Sequence, residues 1–173
     1  GETLAWFAQL GAARFVPPLE LSRELIGELQ SVRPAGMQTE VFAYGRMPLA
    51  FSARCFTARH HNLSKDDCQF RCIEDADGLA LQTRDKAAFL TLNGLQTQSA
   101  RVCDLSDSVG ELRALGVDVL RLSPQSRNMS AIIASFQERC AGRSGAALDD
   151  LRVAPPCNGY WHGVPGMEYR SGA

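Results

Sequence analysis

The sequence predicts an α/β fold, laid out as the C-terminal half of a (β/α) barrel with a cysteine-containing insertion. Three observations carry that expectation. Helix-like apolar spacing alternates with short apolar runs of strand length. The segments "LAWFAQLGAARFVPP" and "VGELRALGVDVLRLSP" share one plan: a helix, a Leu-Gly stop, a short strand, then proline. The strands that follow the helices are continuous apolar runs, as buried parallel strands are. About four strands alternate with helices, half of an eight-stranded barrel. An open doubly wound sheet competes, but no strand is followed by GxGxxG and no Walker-type phosphate loop is present.

In chain order, Leu4, Phe7, Ala8 and Leu10 recur at helical spacing and Gly11 ends that helix. "RFVPP" reads as a short strand. Ser22 is an N-cap for the helix "RELIGELQSV". "TEVFAYGRMPLAFS" is a strand whose Val41, Phe42 and Ala43 form a buried run. "KAAFLTLNG" gives a strand around Phe89 to Leu92, "VGELRALG" a helix ended by Gly116, "VDVLRLSP" a strand, and "NMSAIIASFQERC" the last helix. "GRSGAALDDL" reads as linker. The tail "APPCNGYWHGVPGMEYR" is rich in Pro, Gly and aromatics and is expected to pack back on the body. The whole, residues 1–173, reads as one domain with an insertion at 52–78 and an aromatic tail at 152–173.

Composition narrows the function classes. Hydrophobic residues make up 45% of the 173 and charged residues 21%, which suits a globular domain with a sizeable core. Eighteen Lys and Arg balance nineteen Asp and Glu, and no basic stripe marks a nucleic-acid or anionic-lipid partner. No apolar run reaches the ~20 residues of a membrane span. The opening "GETLAWFAQLG" has no signal-peptide pattern, so a reducing, cytoplasmic setting is expected. It also starts inside a helical pattern with no initiator Met, as a piece of a longer protein would.

About 33 residues separate the strand ending near Ser52 from the one beginning near Lys86, and connections that long are usually functional or disordered. This one holds three of the six cysteines: Cys55, Cys68 and Cys72, spaced C-x12-C-x3-C. A helical "DDCQFRC" would turn Cys68 and Cys72 to one face, and Cys55 follows a strand end, where barrel chemistry sits. Three thiolates and one further ligand make a tetrahedral zinc site or part of an iron–sulfur cluster. His60 or His61 could complete a Cys3His set. Arg54, Arg59, Lys65 and Arg71 could offset the charge of a cluster. Unligated thiols are the bland alternative.

Elsewhere the bland readings prevail. Cys103 reads as a small buried hydrophobe, Cys140 as structural or exposed, Cys157 as part of a closing segment, and His162 as a lone tail histidine. The carboxylates of "IEDAD" read as a solvated turn. Asn93, Gln96 and Gln98, at a strand end, could read a polar ligand. No Ser–His–Asp order or Cys–His couple stands out, so peptidase chemistry has little support.

"EVFAYGRMPLAFSARCFTAR", "CQFRC", "FLTLNGLQTQSARVCDL", "GVDVLRLSPQS" and "CNGYW" together resemble the collagenase-like peptidase family U32, and within it the ubiquinone-biosynthesis branch. The resemblance spans nearly the whole chain. It implies a 4Fe–4S cluster on four cysteines, three of them at Cys55, Cys68 and Cys72 and the fourth upstream of Gly1, with Cys103 a remote substitute. It implies a heterodimer with a UbiU-like paralogous cluster protein, and oxygen-independent ring hydroxylation of a ubiquinone precursor. The oxygen would come from a small organic donor such as prephenate. A half-barrel lacking its fourth thiolate would be inactive and, with exposed strand edges, would self-associate.

Overall fold

The computed structural model describes residues 1–171. Five helices and seven strands follow one another as α1 (Glu2–Gln9), β1 (Arg14–Phe15), α2 (Arg23–Ser31), β2 (Gln38–Phe51), α3 (Phe56–His60), β3 (Leu79–Gln82), β4 (Ala88–Asn93), β5 (Gln96–Asp104), α4 (Val109–Ala114), β6 (Val119–Leu122), α5 (Met129–Cys140) and β7 (Pro156–Cys157). Residues 172–173 of the predicted tail lie outside the described residues. No helix among those residues is long and apolar enough to cross a membrane.

The sheet is organised by β2. Its first half runs parallel to β1 and to β6, with Arg14 opposite Gln38 and Glu40 opposite Val119. Its second half runs antiparallel to β5, with Tyr44 opposite Asp104 and Phe51 opposite Gln96. Tyr44 is the switch, since it pairs with Leu122 on one edge and Asp104 on the other. Beyond β5 the strands β4 and β3 continue as an antiparallel meander, and β7 adds in parallel to the same edge of β5 as β4, at Val102 and Cys103. The pairing path β1-β2-β5-β4-β3 does not close on itself among the described residues.

The fold is therefore α/β, but with a mixed seven-stranded sheet rather than the four parallel strands expected. The helix–Gly–strand units do make the parallel part, β1, β2 and β6. The expectation failed at β3, β5 and β7. "QTQSARVCD" looks polar for a strand, yet Ser99 is fully buried because its Oγ donates to Arg101 O at 2.5 Å and accepts from Met47 N at 2.9 Å. Cross-strand bonds of this kind make polar residues acceptable inside a sheet.

Local chemistry explains the elements that were foreseen. Ser22 caps α2 by accepting from Leu25 N, and Gly116 takes φ +78° just past α4, as a helix-ending glycine does. Val41, Phe42, Ala43 and Tyr44 are all buried, so both faces of β2 are covered. Ile26 of α2, Leu112 of α4, and Ile132 and Phe136 of α5 complete the core, with Phe136 set edge-on to Tyr44 at 6.0 Å between ring centroids. At the start of β2, Glu40 accepts from Arg14 Nη1 at 3.0 Å and Arg121 Nε at 2.6 Å, tying β1 and β6 to the strand between them. The C-terminal segment returns to the sheet. Cys157 and Trp161 are buried in the core, and Asn158 exchanges two 2.8 Å hydrogen bonds with the backbone of Arg170.

Candidate functional site: a thiol-bearing lobe and an adjoining polar cavity

The chain leaves β2 at Phe51 and builds a small lobe before β3. Cys55 is the N-cap of α3, its Sγ accepting from Ala58 N at 3.4 Å. Ser64 caps a 3-10 turn over Lys65–Asp67, and Cys68 follows as the residue that ends it. A second 3-10 turn, Arg71–Glu74, carries Cys72 and packs against α3. The three thiols thus share one lobe, are all partly buried and are all unpaired.

The helical turn expected to align Cys68 with Cys72 does not form. Gln69 and Phe70, between them, both take φ +52°, the left-handed region that non-glycine residues rarely enter. Two such residues in succession reverse the chain, so C-x3-C spans a turn between two 3-10 segments. Among the described residues no three Cys, His, Asp or Glu side chains converge to hold a metal ion. The lobe therefore gathers Cys55, Cys68 and Cys72 without directing them to a common centre.

Beside Cys55 the chemistry is basic. Arg54, Arg59 and Lys65 line an open hollow of about 520 Å³ with Cys55 in its wall. Arg71 is otherwise engaged, donating from Nη1 to Glu74 at 2.6 Å. That hydrogen bond, partly opposed by desolvation, holds the Glu74 carboxyl below its ordinary range. His60 and His61 stand edge to face at 5.1 Å, and the Nε2 of His61 is buried without a hydrogen-bond partner. Among the described residues no histidine is hydrogen-bonded to a cysteine, and Cys55 accepts only from a backbone amide. Phe70 and Ile73, beside Cys68 and Cys72, are 71% and 75% exposed.

The lobe is pinned to the body through "IEDAD", which does more than the solvated turn expected of it. Asp77 accepts from Ser126 N at 2.7 Å and also from Ser126 Oγ, joining the lobe to the loop between β6 and α5. Beneath this pin lies a polar cavity of about 40 Å³, lined among others by Arg46, Asp77, Asn93, Gln98, Ser123 and Gln125. Arg46 donates from Nη1 to the carbonyls of Ser99 and Ala100 at 2.9 and 2.7 Å, while its Nε is buried and unpartnered. Burial works against its charge and pulls its pKa down, with Asp77 opposing that effect.

Asn93 and Gln98 thus do reach a polar recess, whereas Gln96 is occupied as the acceptor for Gln98 Nε2 at 2.6 Å. Arg46 was missed by sequence reasoning. Its signal was a lone arginine between Gly45 and Met47 within a strand of buried residues, where a cation must be fed by carbonyls. Cys103 is buried on β5, Cys140 exposed at the end of α5, and Cys157 fully buried on β7.

The chain is thus an α/β protein carrying a lobe of three free thiols, with Arg54, Arg59 and Lys65 on the Cys55 side. Residues 1–137 match the model of peptidase family U32, and the chain belongs to that family. No solved structure matches it.

Proposed function

We propose that this chain is a UbiV-like iron–sulfur subunit of an oxygen-independent hydroxylase acting in ubiquinone biosynthesis in the cytoplasm. The observation that carries the reading is the gathering of Cys55, Cys68 and Cys72, all unpaired, in one lobe beside Arg54, Arg59 and Lys65. Three soft thiolate donors fit three corners of a 4Fe–4S cluster, whose negative charge the basic residues would offset. The fourth donor belongs to sequence upstream of Gly1. Docking of that donor would draw the three thiols together, and the turn at Gln69 and Phe70 supplies the strained segment able to change. When bound, the cluster supplies one-electron chemistry. The chain's own residues would hold it, neutralise it and, through Asp77, keep the lobe against the sheet. A UbiU-like paralogous cluster protein is the proposed heterodimer partner, and a small organic oxygen donor such as prephenate the co-substrate.

A second reading, a zinc-stabilised interaction module without catalysis, is favoured by one observation. His61 Nε2 is buried and unpartnered in the same lobe, and an imidazole nitrogen with three thiolates is a complete zinc set. Peptidase activity of the kind in the family's name lacks the thiol–imidazole bond it would use.

Metal analysis after anaerobic purification separates the readings, performed on this chain and on a longer one carrying upstream sequence. The longer protein is expected to hold about four irons with matching sulfide, lost on Cys68→Ser. One zinc and no sulfide in both proteins overturns the hydroxylase reading. Peptide hydrolysis that survives loss of all three thiols overturns both.

A further inference from the structure

A second set of sulfur donors lies outside the lobe. Cys103 on β5 and Cys157 on β7 are direct partners in the register of two parallel strands. Both thiols line one cavity of about 30 Å³, and Met47 of β2 lines the same cavity. All three residues are at least nine-tenths buried, with exposures of 7%, 0% and 3%. We propose that Met47, Cys103 and Cys157 form a binding site for a soft monovalent metal ion of the copper(I) class.

Four features support that chemistry over the alternatives. First, the two thiols are register neighbours on adjacent strands that line one cavity, and both are free rather than joined in a disulfide.

Second, the donor set is wholly soft. Two thiols and a thioether select copper(I) over the hard cations, and a thioether adds little for zinc, which takes four ligands. Third, the rest of the wall is not a fully satisfied core, since it includes Trp161, whose Nε1 is buried and unpartnered.

Fourth, the charge can be balanced. Binding displaces the two thiol protons to solvent, transfers no electron, and leaves a bis-thiolate copper(I) unit of net charge −1. The guanidinium of Arg101, which donates from Nη1 to Pro156 O at 3.3 Å beside Cys157, opposes that charge. Burial pushes the Cys157 thiol up to about 11 and the Cys103 thiol higher still, so both are held as protonated thiols until an ion replaces the protons.

The test uses protein in which Cys55, Cys68, Cys72 and Cys140 are all serine, so that its outcome is independent of the cluster reading. Copper(I) is delivered anaerobically in competition with a chromophoric copper(I) chelator. One ion per chain is expected to be held against the chelator. Cys157→Ser in that background is expected to lower affinity by more than the ~10–100-fold typical of losing a supporting partner of a metal site. Met47→Leu, which keeps the core volume, is expected to weaken binding by about tenfold without changing the circular dichroism. Copper K-edge absorption on protein with the cavity intact should show sulfur neighbours alone. No retained copper, nitrogen or oxygen neighbours, or equal affinity in the Met47→Leu and Cys157→Ser proteins overturns the site.

Discussion

Arg152 and Asp104 form the most deeply buried ion pair among the described residues, Nη1 to Oδ2 at 2.5 Å with 8% and 3% of the two side chains exposed. The pair joins the start of the C-terminal segment to the end of β5. Burial alone would lower the arginine's pKa, and the bonds to Asp104 and Asp149 more than reverse that. Removing one partner strands the other's charge in the interior. Arg152→Ala is therefore expected to cost about 3–5 kcal/mol, read as a fall in the urea midpoint at unchanged slope.

Gly45 is expected to tolerate no side chain. It has φ +121°, and an added Cβ would stand 2.5 Å from the Cβ of Ser123. Backbone strain and overpacking together make Gly45→Ala destabilising by roughly 3 kcal/mol. A thermal melt within a degree of the parent would refute the close approach of β2 to the end of β6.

Acid should act through Glu40. Burial raises the cost of its charge, but the hydrogen bonds from Arg14 and Arg121 outweigh it and hold the carboxyl below its ordinary value. With the folded pKa depressed, the stabilisation is complete above the ordinary carboxylate range and is lost as pH falls through the folded value. Stability should decline below about pH 4, and Glu40→Gln should flatten that decline while lowering stability at neutral pH.

Alkali should act through Cys157. Its thiol is pushed up to about 11, chiefly by burial, so the folded state holds a proton that the unfolded chain releases near its ordinary value. The sign is opposite to that of Glu40: stability is complete below the unfolded pKa and falls as pH rises toward the folded one. Melting temperature should drop between about pH 9 and 11, and Cys157→Ala should reduce the slope.

The thiols should also separate by location. Cys68→Ser and Cys72→Ser, in the partly exposed lobe, are expected to change stability by less than about 0.5 kcal/mol. Cys157→Ser, which buries a hydroxyl in an apolar wall, is expected to cost about 1–3 kcal/mol. Equal effects in chemical denaturation would show that the lobe is part of the core.

The helices and the parallel strands were legible because their signals are local. Ser22 caps its own helix, Gly116 ends its own, and Val41 to Ala43 are an unbroken apolar run. β5 was hidden because Ser99 becomes acceptable inside a strand through Met47 N, a partner far along the chain. The lobe's cysteines were conspicuous by spacing, yet the turn between Cys68 and Cys72 was misread. Nothing in "CQFRC" announces two consecutive left-handed residues, which lead into a second 3-10 turn that packs on α3. Arg46 was overlooked for a related reason. Its carbonyl partners, Ser99 and Ala100, lie on the strand that was not foreseen.

The dual pairing of β2 also bears on how the chain is made. On the ribosome this strand emerges with its apolar run complete, but its antiparallel neighbour is finished only at Asp104 and its second parallel one, β6, at Leu122. At bacterial-to-eukaryotic synthesis rates those strands follow roughly 3–14 s after Phe51. During that interval only Gln38 and Thr39 have a strand partner, β1, and the apolar run beyond them is unpaired. Folding aids that shield such segments, or slow codons placed after residue 122, would raise the yield of soluble protein.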